Sequence, residues 1–385
     1  ANVPTEKLLA LYQQTLRDSL GIGKLILFAK QETWECVLKF GIDGEIPNVT
    51  DEAFFNQKSA IGLDVKGATE KETFDIVIPV DQDGVPIAYL LVGDSVEDQI
   101  RMSPVIKHMR FIQTLTNVIM VAIQNKRLVE EKIHQERVAK ELELAAEMQA
   151  LLVPHKMPSN ELYELSAVYK PHQQVGGDYY DFFTLNDEEM VMCMADVSGK
   201  GVSAAFLMAN FQAYLRSIFK MEKISLETVI KELNDQVMNS ARGEKYITFF
   251  VAKCNTVTGV LEYINCGHNP PVLCHEDGSS ELLSLGSIGL GMFEEIPTIK
   301  KGSLELQRND VLVCYTDGLV ELENEAQQEF GLEKLEEFVL TNFGCTMQDL
   351  NRKIMSELED YRGTAPYIDD TALLSCRFHA FGKIS

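Results

Sequence analysis

The stretch from Met102 to Val153 constrains the fold most, because it carries almost no turn signal. Its only proline is Pro104, close to its start, and Pro154 follows its end. Such an uninterrupted run predicts a single helix of roughly 75 Å, far longer than one globular domain needs. The chain is therefore expected to form folded parts on either side of a long linker helix.

Apolar residues recur along this stretch at heptad spacing. One heptad position carries Val121, Leu128 and Leu142, and the other carries Val138, Ala145 and Leu152. The polar residues that interrupt these two positions are Gln135, Gln149, Gln124 and Glu131. A seam this weak predicts a parallel coiled coil in a homodimer, with helices able to slip or rotate against each other. A single solvated connector helix is the alternative interpretation.

The residues before the long helix mix helix and strand patterns. A helical pattern over 6–20 is stopped by glycines, strand patterns follow at 24–30 and 34–41, and a strand–turn–strand pattern covers 73–94. This order predicts a small α+β module over 1–103, with Trp34 packed inside it. The linker helix is then assigned to 104–155 and a second domain to 156–385.

The residues after the linker alternate short strands with helices. The predicted strands lie within 188–199, 245–255, 259–276, 310–321 and 369–378, and the predicted helices within 201–219 and 225–241. Long β runs interrupted by helices favour two packed sheets with helices outside them. Alternating side chains such as Met192, Met194, Phe249 and Phe250 are expected in the core.

Composition excludes several classes of protein. The 385 residues carry a net charge of −23, which leaves no basic footprint for a nucleic acid. No apolar run approaches the roughly 18–20 residues of a membrane span. The N-terminus lacks the pattern of a secretory signal. It also lacks a starting Met, so we expect the numbering to begin inside a longer gene product or after a removed tag.

The cysteines give no sign of a metal or redox site. None of the eight has the Cys-x-x-Cys spacing of such a site. Most stand in apolar, strand-like runs, where cysteine behaves as a small core residue. Reduced, structural cysteines favour a cytoplasmic setting.

Carboxylates stand where four strands of the second domain meet a loop. They are Asp178, Asp196, Asp317 and the pair Asp369 and Asp370, with Gly177, Gly199 and Gly318 close by. One Asp at a strand end is ordinary turn chemistry, but several brought together would repel one another strongly. Divalent cations neutralise such a cluster, and carboxylate oxygens suit Mg²⁺ or Mn²⁺ better than zinc.

Six ordered segments of the second domain carry a family resemblance. They read VGGDYYDFF, ADVSGKGVSAAFLMA, YITFFVA, GHNPPVL, VLVCYTDGLVE and DDTALL. Together they resemble the metal-dependent serine/threonine protein phosphatases (the PPM, or protein phosphatase 2C-like, family) in their bacterial SpoIIE branch. The resemblance covers roughly residues 140–380, including the helix end ELELAAEMQALLVP. By pattern alone, the N-terminal module resembles a GAF sensor domain.

This resemblance implies an αββα sandwich that holds two Mn²⁺ or Mg²⁺ ions. The implied metal ligands are Asp178, Asp196, the backbone carbonyl of Val197, Asp317 and Asp369. Asp370, Gly177 and Gly318 are implied as supporting residues. The resemblance also implies that Asp196 bridges the two ions and that Asp196 and Asp178 serve catalysis. The hydroxyl residue usual after the last ligand is displaced, since Thr371 follows Asp370 directly and Ala372 takes its expected place.

The implied function is hydrolysis of phosphoserine or phosphothreonine on a signalling protein. Two cations that share a water lower its pKa, so that it attacks phosphorus without a protein nucleophile. By resemblance, the substrate is an antagonist of an anti-sigma factor. The N-terminal module is expected to regulate the phosphatase through the linker helix.

The sequence also invites three other interpretations. A phosphate-binding loop at Lys200 fails, because Met194 stands where that motif needs glycine and Gly201 follows the lysine. A nucleotide-cyclase signature at GGDYYDFF lacks its acidic residue, which Tyr179 replaces, and leaves Asp317 unexplained. A catalytically inactive scaffold whose GAF-like module binds a ligand or partner is the alternative from another class.

Overall fold

The computed structural model describes residues 4–30, 33–42, 61–66, 73–82, 85–93, 104–154, 156–172, 174–221 and 224–382. The chain divides into two compact units, Ala1–Arg137 and Val138–Ser385. Their boundary falls inside the long helix, so that helix contributes residues to both units. The finer division at 103 and 155 stays a prediction.

The N-terminal unit is built on a five-stranded antiparallel sheet. Its strands are β1 (Lys24–Lys30), β2 (Trp34–Phe40), β3 (Ile61–Lys66), β4 (Thr73–Gln82) and β5 (Val85–Gly93), in the order β2-β1-β5-β4-β3. Helix α1 (Thr5–Gln14) precedes the sheet and continues as a π-helical turn (Thr15–Ser19). The strands predicted here are present, while the turn predicted between β4 and β5 lies outside the described residues.

Both faces of this sheet are packed. Leu25 and Leu27 point to one face, where Tyr12 of α1 and Ile112 of the long helix join the same core. The Tyr12 and Thr116 hydroxyl oxygens lie 2.6 Å apart in this core. On the opposite face, Trp34 packs edge-on against Tyr89 with ring centroids 5.0 Å apart, which confirms its predicted packing role. The GAF-like character of the unit stays a prediction.

The long helix α2 spans Pro104–Ala150, which confirms the predicted continuous helix. Its middle carries ion pairs between residues four apart, such as Lys126–Glu130 and Arg127–Glu131. These pairs support a helix whose middle is largely exposed. Among the described residues, none of the helices combines the length and apolar character that crossing a membrane requires.

The C-terminal unit contains two sheets. Their strands are β6 (Tyr163–Lys170), β7 (Tyr179–Thr184), β8 (Glu189–Val197), β9 (Ile247–Asn255), β10 (Val260–Cys266), β11 (Val272–Cys274), β12 (Ser280–Leu282), β13 (Gly286–Ser287), β14 (Gly302–Glu305), β15 (Val311–Tyr315) and β16 (Thr371–Phe378). The first sheet has the order β13-β10-β9-β8-β7, with β14 also paired to β10. The second sheet has the order β12-β11-β15-β16-β6.

Helices cover the outer face of each sheet. Helices α3 (Val202–Ile218) and α4 (Leu226–Ala241) pack on the first sheet, and α6 (Leu332–Thr341) and α7 (Met347–Arg362) pack on the second. Helices α6 and α7 were not singled out from the sequence. Within 310–321, where a strand was predicted, the strand stops at Tyr315 and the short helix α5 (Asp317–Val320) follows.

Strand β8 shows why the two sheets and their helices assemble. Met190, Met192 and Met194 point into the core between the sheets. Val191 and Cys193 alternate with them and point towards α3 and α4. This period of two, apolar on both faces, is what a strand covered on both sides requires. The layers therefore form an αββα sandwich, and the eight cysteines are free thiols, six of them buried.

Candidate active site

Asp178 follows a turn of two glycines, Gly176 and Gly177, that leads into β7. The side chain is 2% exposed. Its Oδ2 has no hydrogen-bond partner among the described residues. A Cβ on Gly177 would lie 2.9 Å from the carbonyl oxygen of Val197 and 3.5 Å from Oδ1 of Asp196. The glycine therefore lets the turn pack closely against the end of β8.

Asp196 and Asp317 reach the site from two different sheets. Asp196 is the penultimate residue of β8 in the first sheet, next to the buried Val197. Asp317 begins α5, directly after β15 of the second sheet. Gly318 allows this approach, because a Cβ there would lie 1.9 Å from the backbone oxygen of Asp370.

Asp370 acts as an anchor for the turn that carries Asp178. Its Oδ2 accepts a hydrogen bond from the backbone N–H of Gly177 at 2.8 Å, and its Oδ1 accepts one from the backbone N–H of His172 at 2.8 Å. Asp370 is 7% exposed and stands immediately before β16. The expected supporting role of Asp370 therefore has a structural basis, because its carboxylate connects the Gly177 turn to the start of β16.

Burial and mutual repulsion raise the pKa of the clustered carboxyl groups. The pKa of Asp178 is well above its usual value because the group is buried and lies near the charges of Asp196 and Asp370. Burial, followed by the charges of Asp317 and Asp369, raises the pKa of Asp196 to about 7. The pKa of Asp317 is also raised, first by burial and then by Asp369. The site therefore concentrates negative charge that a cation would relieve.

Lys200 supplies a positive charge at the edge of this cluster. Its Nζ lies 2.9 Å from Oδ2 of Asp369 and donates to the carbonyl oxygen of Ile368 at 2.6 Å. Oδ1 of Asp369 accepts the backbone N–H of Asp370 at 2.8 Å. Lys200 therefore has a carboxylate partner and a carbonyl partner at the edge of the cluster.

The carboxylates are neighbours, but they do not yet surround a single point. Within the part of the chain that the structure describes, no three His, Cys, Asp or Glu side chains are arranged to hold a metal ion. The chemistry still fits a hard divalent ion, because the groups present are carboxylates and the buried Oδ2 of Asp178 has no hydrogen-bond partner in the described parts of the chain.

His268 and Thr371 make structural contacts near the site. The His268 ring is 5% exposed, its Nδ1 lies 2.9 Å from the Thr248 hydroxyl, and its backbone N–H donates to Asn265 Oδ1 at 2.8 Å. Burial lowers its pKa to about 4. The displaced hydroxyl of Thr371 donates to the carbonyl of Gly318 at 3.3 Å, so it still supports the site.

Two sets of contacts beside the site were not anticipated from the sequence. Gln149, in the last turn of α2, bonds to the backbone of Gly176. Asp181, inside β7, is fully buried and pairs with Arg216 of α3. A carboxylate within the apolar run around Asp181 signals a buried partner, but that signal does not say which of the distant arginines it is.

Comparisons with known proteins agree with this architecture. A model of the family described as Stage II sporulation protein E (SpoIIE) matches residues 186–379, about half of the chain. Asp178 lies just before the matched residues. Among solved structures, the SiaA-PP2C domain of Pseudomonas aeruginosa is 18% identical, with a TM-score of 0.56 over 64% of this chain and 98% of that domain. This likeness shows a PP2C-like fold.

Two curated relatives are similar to part of the chain. Phosphoserine phosphatase RsbU of Bacillus subtilis (strain 168) is 30% identical over 193 residues, which cover 50% of this chain and 56% of RsbU. Protein IcfG of Synechocystis sp. is 26% identical over 279 residues, which cover 66% of this chain and 44% of IcfG. The chain thus spans about half the length of these relatives. By its family match, the chain belongs to the Stage II sporulation protein E (SpoIIE) family.

Proposed function

We propose that the chain is a metal-dependent serine/threonine protein phosphatase. One observation carries the proposal: the buried Asp178, whose Oδ2 has no hydrogen-bond partner among the described residues, lies in a cluster with Asp196 and Asp317. Burial, and then the neighbouring carboxylates, raise the pKa of all three groups. Holding such charges together costs stability unless a cation binds them. Membership of the SpoIIE family and the likeness to a named phosphoserine phosphatase support the same reaction.

The proposed metal ligands are Asp178, Asp196, the Val197 carbonyl, Asp317 and Asp369. Two Mn²⁺ or Mg²⁺ ions bound there would acidify a shared water and neutralise phosphoryl oxygens. Asp370 and the Gly177 turn hold Asp178 in place through the backbone N–H of Gly177. Binding an ion through Asp369 would replace its pairing with Lys200 and would leave the lysine ammonium beside a substrate phosphate.

The physiological substrate belongs to the proposal as well. A phosphoserine or phosphothreonine on a signalling protein, such as an antagonist of an anti-sigma factor, suits a phosphatase of this family. The free, mostly buried cysteines support the cytoplasmic setting proposed for this reaction. The rival is a catalytically inactive scaffold whose N-terminal unit binds a ligand or partner.

Turnover of para-nitrophenyl phosphate with Mn²⁺ titrated in separates the enzyme from the scaffold. We expect the full chain to release phosphate in proportion to bound Mn²⁺, to stop when the metal is chelated, and to recover better with Mn²⁺ than with Zn²⁺. Activity that survives exhaustive chelation would refute the metal-dependent mechanism. No turnover at any Mn²⁺ concentration would favour the scaffold.

We further propose that α2 forms a homodimer and transmits the state of the N-terminal sensor unit to the phosphatase. Two residues of the predicted seam, Leu128 and Val138, are 62% and 41% exposed in the single chain. The ends of the seam are engaged differently, since Val121 packs against the N-terminal core and Leu152 against the C-terminal core. A short central seam between two anchored ends suits a helix pair that changes register.

Replacing Leu128 and Val138 together by Glu tests this arrangement. We expect the wild-type chain to sediment as a dimer and the double variant as a 43.2 kDa monomer with altered turnover. Ile133→Glu is the matched control, because Ile133 is 59% exposed on the same helix but lies off the predicted seam. Dimers of unchanged mass and turnover in the double variant would remove the coiled-coil proposal.

A further inference from the structure

Gln149 is buried at the end of a largely exposed helix. It is 8% exposed, whereas Met148 and Leu151 on either side are 71% and 73% exposed. Heptad spacing assigns Gln149 to the seam position of Leu128, facing a second helix. The structure instead directs its side chain into the C-terminal unit, where it is unavailable to a seam.

The amide of Gln149 satisfies both backbone polar groups of Gly176. Its Nε2 donates to the carbonyl oxygen of Gly176 at 2.7 Å, and its Oε1 accepts the Gly176 N–H at 3.2 Å. Among side chains of this length, only a primary amide offers a donor and an acceptor together. Glutamate would place an oxygen against the carbonyl, and asparagine is one methylene shorter.

Gly176 stands two residues before Asp178, so this contact fixes the start of the turn. A Cβ on Gly176 would lie 2.0 Å from the Tyr169 hydroxyl and 2.1 Å from Asp370 Oδ2. The turn is therefore packed closely against Tyr169 and Asp370. The next residue, Gly177, is held by Asp370. The turn is thus held between the end of α2 on one side and the start of β16 on the other.

The end of α2 is itself docked on the phosphatase unit. Leu152 and Val153 pack into its core, and the Leu152 carbonyl accepts from Gln212 Nε2 at 3.3 Å. The Leu152 N–H donates to the carbonyl of Gln149 at 2.9 Å. Rotating the helix by one residue moves a side chain about 100° around the axis, which would withdraw the amide from Gly176.

We propose that Gln149 is a positioning residue that places the Asp178 carboxylate and couples the state of α2 to the phosphatase site. The inference rests on the proposed function and names a regulatory contact for it. With the amide on Gly176, the Asp178 turn is held as the structure has it. With the amide withdrawn, the turn loses its contact with α2 and keeps only the Asp370 anchor at Gly177, so the Asp178 carboxylate is held less firmly.

The test uses the full chain with Gln149→Ala and Gln149→Glu. We expect Mn²⁺ affinity, measured by isothermal titration calorimetry, to fall by about 10–100-fold, as when the support of a metal ligand is lost. For para-nitrophenyl phosphate, kcat at limiting Mn²⁺ should fall, KM should change little, and excess Mn²⁺ should restore turnover. Met148→Ala, which changes an exposed neighbour on the same helix, should behave as wild type.

The outcomes separate this inference from the proposed function. A wild-type chain without Mn²⁺-dependent turnover would contradict the phosphatase itself. An active wild type, with Gln149→Ala and Gln149→Glu equal to it in Mn²⁺ affinity and kcat, would overturn the role of Gln149 alone. Loss of folding in both variants, seen as lost cooperative melting, would also overturn it, because a positioning residue leaves the fold intact.

Discussion

Asp196→Asn is expected to abolish Mn²⁺-dependent phosphate release while the chain stays folded. The substitution keeps the shape of the side chain but removes the charge proposed to bridge two ions. A loss of about 4 kcal/mol of transition-state stabilisation lowers the rate by about 10³-fold. The loss should appear in turnover of para-nitrophenyl phosphate at saturating Mn²⁺.

The same variant should be no less stable than the wild type without metal. Folding raises the pKa of Asp196 from 3.8 to about 7, first through burial and then through Asp317 and Asp369. Between these values the folded state holds a proton that the unfolded state has lost, so stability falls as the pH rises through this range. Asparagine cannot ionise, so the melting temperature of the variant at pH 8 should equal or exceed that of the wild type.

Asp187→Asn is the control, because Asp187 is an exposed residue of the hairpin that leads into β8. It should leave both turnover and melting unchanged. Near-normal turnover by Asp196→Asn would refute the assignment of Asp196 as a metal ligand. If Asp187→Asn also lost most of its turnover, the loss in Asp196→Asn would not be specific to the proposed metal site.

Arg216→Met is expected to cause the largest loss of stability. The fully buried Asp181 accepts hydrogen bonds from Arg216 Nε at 2.6 Å, Arg216 Nη2 at 2.7 Å and the Tyr179 hydroxyl at 2.5 Å. Methionine keeps an apolar stem over Phe183 but leaves the carboxylate buried without its counter-charge. Removing one partner of such a pair costs about 3 kcal/mol, measured by urea unfolding.

Arg352→Met provides the matched control for this loss. Arg352 pairs with Asp349 on the surface of α7, with the two side chains 70% and 48% exposed. A pair of this kind contributes at most about 1 kcal/mol. If Arg216→Met destabilised the chain no more than Arg352→Met does, the Asp181 pair would not anchor α3 to β7 as the contacts indicate.

Much of the fold follows from patterns that one element carries by itself. The long helix is evident because no turn residue interrupts it, and β8 is evident because its apolar residues occupy both faces. The short helix α5 was missed because Asp317 follows a strand pattern without a break, and its helical turn depends on Gly318 fitting under the Asp370 backbone.

Residues of the candidate site could be predicted from the sequence only where a local pattern identifies them. Carboxylates at strand ends identify Asp178 and Asp196, since strand ends lie at the edges of sheets. Gln149 could not be found this way, because its partner is the backbone of Gly176, 27 residues away. Heptad spacing shows which residues share a face of a helix, but not what covers that face. Here one residue at a seam position, Gln149, contacts its own chain.

The most direct test of the account is an anomalous diffraction map from crystals of the full chain grown with Mn²⁺. The account predicts two peaks about 3.5–4 Å apart. Asp196 should lie between them, and Asp178, the Val197 carbonyl, Asp317 and Asp369 should complete the ligands, with Lys200 turned away from Asp369. A map with no Mn²⁺ peak at any of these carboxylates would contradict the account.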